Sequence, residues 1–338
     1  MWNRKYLGRE NLIKNKGEKM VKVKSYANIA IVKYWGKKDA KKMIPATSSI
    51  SLTLENLFTE TEISFITKEE AIEKTGQASD LLYINGELQN EEQIKKITKV
   101  INLFRDNRSQ LVKIDTTNNM PTEAGLSSSS SGLSAAIKAC NKLFDKNLSR
   151  EELAQISKFA SGSSSRSFFG PVGMWDKDTG EVSEVKTDLK LAMIVLVLNE
   201  EKKIISSRKG MALCMETSTS FDEWIRQSEI DFENMKKYLS EGDFSKVGDL
   251  TEENALRMHE TTKNSNPPFT YLTEKSFEAM EYVKKLRKQG ERCYFTMDAG
   301  PNVKVLCLEE DFERLKDIFG KKYKIIASKC KVISDNDD

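Results

Sequence analysis

Four short stretches bring together side chains that can do chemistry. Asn118-Asn119-Met120-Pro121-Thr122-Glu123-Ala124-Gly125-Leu126 runs into the five serines Ser127–Ser131 and Gly132. It lies between a strand-like stretch and an alanine-rich helical one. Small residues allow close backbone approach, and free amides at a helix start attract phosphate. Serine hydroxyls add donors for phosphate oxygens. Ser161-Gly162-Ser163-Ser164-Ser165-Arg166-Ser167 is a second hydroxyl-rich run, whose arginine suits two-point capture of a phosphate or carboxylate. Lys33 closes an alternating stretch just before Tyr34-Trp35-Gly36-Lys37. Asp298 opens Asp298-Ala299-Gly300-Pro301-Asn302, where an aspartate also serves simply to form the turn. The one histidine, His259, excludes multi-histidine zinc sites and reads as a packed or capping residue. The chemistry therefore rests on carboxylates, lysines, arginine, hydroxyls and backbone amides.

The elements that must position these residues follow from periodicity. Val21–Ile31, Ser48–Leu54 and Thr59–Phe65 alternate at period two and read as early antiparallel strands. Asn85-Gly86 marks a hairpin. Glu91–Phe104 and Ser131–Phe144 carry helical apolar stripes, Leu111–Thr117 reads as a strand, and Ser149 with Glu152 forms a capping box. The apolar run Leu189–Leu198 reads as a buried strand opening a second domain. Phe221–Ser240, Asp243–Ala255 and Lys275–Gln289 read as helices, Cys293–Met297 and Val303–Leu308 as strands around the Asp298 turn, and Asp311–Phe319 as a last helix. Strands first and helix–strand alternation later indicate an α+β chain of two domains. We expect boundaries at 20–190 and 191–332, a disordered extension over 1–19, and an acidic tail over 333–338.

Composition narrows the class. With 54 basic and 51 acidic residues in 338, the net charge of +3 gives no reason to expect nucleic acid. The longest apolar run is strand-length, so no membrane partner is expected. Five scattered cysteines, without a C-x-x-C pair, suit reduced thiols in the cytoplasm. No G-x-x-x-x-G-K-[ST] loop is present, which excludes an ordinary P-loop.

The Pro121–Ser129 segment resembles the P-x-x-x-G-L-x-S-S signature of the GHMP superfamily of small-molecule kinases. Tyr26–Lys37 (YANIAIVKYWGK), Ser161–Ser167 and Phe295–Asn302 (FTMDAGPN), in that order, narrow the resemblance to the diphosphomevalonate decarboxylase family, over roughly residues 21–332. The resemblance implies an N-terminal domain like domain 2 of ribosomal protein S5, a ferredoxin-like C-terminal domain, a cleft between them and a homodimer. It implies ATP-dependent, Mg²⁺-requiring conversion of mevalonate 5-diphosphate to isopentenyl diphosphate, ADP, phosphate and CO₂ in the mevalonate pathway. It places catalysis on Asp298 and Lys33, and substrate on Tyr34, Lys37, Ser161, Ser163 and Arg166. ATP falls to Gly125, Ser127, Ser128 and Ser129, and Mg²⁺ arrives mainly through ATP, with no protein ligand assigned. Glu123 departs from the alanine expected there. Asp298 as proton acceptor and Asp298 as electrostatic stabiliser both remain open. So do the related activities, a phosphomevalonate decarboxylase or mevalonate 3-kinase, and a non-catalytic ligand sensor of the same fold.

Overall fold

The computed structural model describes residues 19–39, 44–120, 128–199, 205–334 and 337. The expected extension over 1–19 lies outside them except for Lys19. So do Glu123, Gly125 and Ser127 of the serine loop, and most of the acidic stretch 335–338.

Strand β1 (Met20–Val32) is followed by a small ribbon of β2 (Lys37–Asp39) and β3 (Ile44–Pro45). Next comes β4 (Ser49–Ile66), antiparallel to β1. Two strands were expected where β4 runs as one. The alternating stretches stop at Leu54 and resume at Thr59, with Glu55 and Asn56 exposed between them. The strand instead changes partners there: Ser49–Leu52 pair with one neighbour and Thr59–Ile66 with another. Asn56 is held across the break by the Ser328 hydroxyl and the Ala327 carbonyl.

Helix α1 (Lys68–Thr75), with a Thr67–Glu70 capping box, was not anticipated. β5 (Leu81–Ile84) and β6 (Glu87–Leu88) form the Asn85-Gly86 hairpin, with φ of 53° and 82° at the turn. α2 (Glu91–Ile101), β7 (Leu111–Asn118), α3 (Ser128–Leu143) and α4 (Arg150–Ala160) follow. A short 3₁₀ helix (Ser164–Phe168) then leads to β8 (Val172–Trp175) and β9 (Val182–Glu184). The resulting sheet has the order β6-β5-β7-β4-β8-β9, with β1 also paired to β4.

The second sheet begins with β10 (Leu191–Leu196), buried at every position as its continuous apolar sequence requires. Four helices follow: α5 (Ser207–Thr217), α6 (Phe221–Glu241), α7 (Phe244–Lys263) and α8 (Glu274–Lys288). β11 (Cys293–Met297), β12 (Val303–Leu308), α9 (Glu309–Gly320) and β13 (Ile325–Lys329) complete the chain. The antiparallel order β11-β12-β10-β13 is the ferredoxin-like arrangement. α7 runs two turns beyond the expected end at Ala255, because Met258, Thr261 and Thr262 continue its buried face.

The sheets share a core: Ile29, Ile31 and Leu52 pack in one cluster with Met193, Val195 and Leu306. The carboxyl end of β1 therefore meets the β11–β12 hairpin. No helix among the described residues is long and apolar enough to cross a membrane.

Candidate active site

Lys33 is the first residue past β1, and Asp298 the first past β11. The shared core carries these two strand ends together. Lys33 Nζ donates to Asp298 Oδ1 at 2.8 Å and to the Ala30 carbonyl at 2.7 Å. Lys33 is 2% exposed, while the Asp298 side chain keeps 22% of its surface, with Oδ2 buried. The backbone N–H of Lys33 is anchored by Asn254 Oδ1 at 2.8 Å. Asn254 donates in turn to the buried Asp231 carboxylate at 2.7 Å, which also accepts from Arg257 at 2.6 Å. Asn302 fixes the other side of the hairpin by accepting from the N–H groups of Leu198 and Asn199.

Electrostatics set the charge states. Burial alone would raise the Asp298 carboxyl, but the Lys304 and Lys33 ammoniums outweigh it and hold Asp298 well below the usual carboxylate range. Burial pulls Lys33 down to about 8; Asp298 opposes this, and the Lys304 and Arg166 charges reinforce it.

Arg166 lies in the 3₁₀ helix and is buried. Its Nε donates to Ser51 Oγ at 2.9 Å and its Nη1 to Ser49 Oγ at 2.5 Å. Nη2 lies 3.5 Å from Asn28 Oδ1, and Asn28 Nδ2 donates to Ser167 Oγ and the Ser163 carbonyl. No carboxylate among the described residues pairs with this guanidinium. Burial lowers it to about 10, against the favourable fields of Tyr34 and Asp298, so it stays charged at neutral pH.

Tyr34 stacks on Trp175 at 5.4 Å, and its buried hydroxyl has no hydrogen-bond partner among the described residues. Burial pushes that hydroxyl up to about 12, so it is a donor at neutral pH. Gly162 permits this stacking: a Cβ there would lie 2.7 Å from both rings. Ser161 caps the end of α4 and lies 3.3 Å from Ser163, oxygen to oxygen. Gly36, at φ 112°, turns the chain toward Lys37, and a Cβ there would meet the Phe221 ring at 2.7 Å.

Lys37 lines a cavity of about 1070 Å³, together with Ser128, Ser129 and Arg208. Leu82, Ile84, Ile97, Val100, Leu133 and Ala136 give that cavity an apolar wall. Ser128 and Ser129 open helix α3, and the dipole at a helix start favours a phosphate. A mostly apolar cavity with cations beside a helix start fits a nucleotide. Among the described residues no cluster of His, Cys, Asp or Glu could itself hold a metal ion.

His259 packs edge-on against Tyr271, with neither ring nitrogen hydrogen-bonded among the described residues. Burial and the Lys33 charge push it down to about 3, so it is neutral. It does not cap its helix, because α7 ends at Asn264.

Sequence reasoning missed Lys304, Asn28, Ser49, Ser51 and Asn254. Lys304 left a signal: it is the one charge in an otherwise apolar strand, Val303–Leu308. The others are ordinary polar residues in strands and a helix, and only their tertiary neighbours set them apart.

The ferredoxin-like sheet, docked on a sheet whose helix α3 starts at a serine-lined cavity, defines the GHMP class of small-molecule kinases. Residues 25–188 match the diphosphomevalonate decarboxylase-like N-terminal domain, and residues 193–337 the mevalonate 5-diphosphate decarboxylase C-terminal domain. The chain belongs to the diphosphomevalonate decarboxylase family. It is similar to the mevalonate pyrophosphate decarboxylase of Streptococcus pyogenes, at 60% identity over 94% of this chain and 98% of that one, with a TM-score of 0.89. It is 31% identical to the Candida albicans diphosphomevalonate decarboxylase, over 88% of this chain and 86% of that protein. A complex of MDDEF with MVAPP, AMPPCP and magnesium is 36% identical, over 94% of this chain and 99% of that one, with a TM-score of 0.83.

Proposed function

We propose that the chain converts mevalonate 5-diphosphate and ATP to isopentenyl diphosphate, ADP, phosphate and CO₂, with Mg²⁺ as cofactor. The observation that carries this reading is the ionised, mostly buried Asp298 held against Lys33, beside a buried arginine that has no carboxylate of its own among the described residues.

In this reading Arg166, with Ser161 and Ser163, holds the mevalonate part and its anionic groups. Tyr34 and Lys37 reach the diphosphate. Gly125, Ser127, Ser128 and Ser129 hold ATP phosphates, and the apolar wall near Leu133 takes the base. Magnesium, when bound, neutralises phosphate charge and aligns the transferred group. Hydroxide is a poor leaving group, so the 3-hydroxyl is first phosphorylated; phosphate then departs as the carboxylate leaves as CO₂ and the double bond forms. A carboxylate held well below its usual range is a weak base. Asp298 is therefore best suited to stabilise positive charge developing at C3 while phosphate leaves. A proton it accepts from the hydroxyl would move late, in a loose transition state. Arg166 should orient the departing carboxylate without binding it too well, since tight ground-state binding raises the barrier.

The domain boundary is best drawn near residue 190, supported by the change of sheet between Glu184 and Leu191. The enzyme acts in the cytoplasm, in keeping with five unpaired cysteines, and as a homodimer, as the family resemblance implies. Assaying mevalonate, its 5-phosphate and its 5-diphosphate side by side for CO₂ release tests the substrate. The 5-diphosphate should be preferred by at least about tenfold in kcat/KM, since one further phosphate contact contributes about 1.4 kcal/mol or more. Equal or faster turnover of either other compound would overturn the assignment.

A further inference from the structure

Strand β12 reads Val303-Lys304-Val305-Leu306-Cys307-Leu308. Its single charged residue has no exposed surface at all. A lysine stem packs readily among apolar neighbours, but an ammonium cut off from water is costly without a partner. Lys304 has one: its Nζ forms an ion pair with Asp298 Oδ2 at 3.2 Å. The contact is one of charge: among the described residues neither that ammonium nor Asp298 Oδ2 makes a hydrogen bond.

The register explains how the pair meets. Met297 is opposite Val303 and Thr296 opposite Lys304, so Lys304 stands at the same hairpin end from which Asp298 projects. Lys33 reaches the other carboxylate oxygen from β1, on the other sheet. A single ion pair leaves a carboxylate free to turn about Cβ–Cγ. Two cations on two different oxygens, carried by strands of different sheets, fix that rotation. Nothing in the packing of β12 calls for a charge at this position, since every neighbour in the strand is apolar.

We propose that Lys304 is a positioning residue for the decarboxylation: it clamps Asp298 Oδ2, which keeps the carboxylate charged and holds its orientation relative to Lys33 and C3 of the substrate. The proposal rests on the reading of Asp298 as the reacting carboxylate. It extends that reading, because a doubly clamped carboxylate acts through its charge rather than as a base.

The charged and titratable groups gathered here are Lys33 from β1, Arg166 from the 3₁₀ helix, His259 from α7, and Asp298 and Lys304 from the hairpin. His259 is neutral, which leaves three cations around one carboxylate. Removing the Lys304 charge thus has two consequences of the same sign. Asp298 loses a cation and its carboxyl titrates at higher pH. Lys33 loses a like-charged neighbour and its ammonium also titrates at higher pH.

The test uses K304M and K304Q, the first matching the apolar stem and the second keeping a polar head. In the free protein, carbon-13 NMR of the Asp298 carboxyl should show its titration displaced upward by about one pH unit or more in either variant. In the kcat/KM profile for mevalonate 5-diphosphate, both the acid and the alkaline limb should move up. Activity at neutral pH should fall about tenfold or more, with KM for ATP little changed. An Asp298 titration that stays where the wild type has it, in whichever variant folds, overturns the clamp, as does an equal loss of rate at every pH. The NMR readout does not depend on turnover. A wild-type protein that releases no CO₂ would therefore sink the proposed reaction while leaving the clamp to be judged by its own measurement.

Discussion

Two buried cations at this site are held in opposite ways. Lys33 is bonded to a carboxylate, Asp298, and its charge is largely spent inside the protein. Arg166 is held by the hydroxyls of Ser49 and Ser51 and the amide oxygen of Asn28, none of which carries charge. Neutral acceptors satisfy a guanidinium's geometry and leave its charge uncompensated, so an incoming anion can still claim it. The contrast teaches that solvent exposure alone does not decide which cation binds a ligand. What matters is whether the protein has already supplied the counter-charge. By this logic the Lys33 pair works on the reacting centre and Arg166 works on the substrate's anionic groups.

The largest effect expected from breaking this contrast is at Asp298. D298N keeps the shape but removes the charge that Lys33 and Lys304 surround. Turnover should fall about a thousandfold or more, while mevalonate 5-diphosphate still binds within about tenfold of wild type by calorimetry. Next comes Arg166. R166M leaves the hydroxyls of Ser49 and Ser51 in place but removes the free charge. Substrate affinity should drop about tenfold to 150-fold, matching the loss of one charge-assisted hydrogen bond at about 1.5–3 kcal/mol. If instead D298N destroys binding and R166M spares it, the division of labour is the reverse of the one described.

The smallest expected effect is at Asn254, which touches neither Asp298 nor substrate but fixes the backbone of Lys33. N254A should lower kcat about tenfold with KM almost unchanged, because it loosens Lys33 and leaves the buried Asp231 short of a donor. It should also shift the alkaline limb of the kcat/KM profile, which reports loss of the Lys33 proton near pH 8. The sign follows from the charge: above that pH Lys33 is neutral, Asp298 loses one of its two cations, and activity declines. A variant with normal kcat and an unmoved limb would show that Asn254 only packs.

Much of this arrangement was legible in the amino-acid sequence, for identifiable reasons. Strands β11 and β12 fell where the alternation placed them, and the Asp298-Ala299-Gly300-Pro301-Asn302 turn between them stood out because its residues favour turns. The lysine after β1 was visible as a charge ending an alternating strand. What the sequence could not show was which polar residues meet across the two sheets. Ser49 and Ser51 look like ordinary strand serines on one face of β4, yet they cradle Arg166 from more than a hundred positions away. Lys304 was readable as an anomaly in β12, but its partner became evident only once the hairpin closed. The single long β4 was read as two strands because the alternating stretches stop at Leu54 and resume at Thr59, and the far end of the chain supplies the hydrogen bonds that carry the strand through.

One measurement bears most directly on the whole account. Carboxyl-labelled mevalonate 5-diphosphate is mixed with ATP, Mg²⁺ and enzyme, and CO₂, phosphate and ADP are counted together, for wild type and for D298N. The account predicts equimolar release of all three by the wild type and essentially none by D298N. ADP formed without CO₂, or CO₂ released by D298N at the wild-type rate, would contradict it.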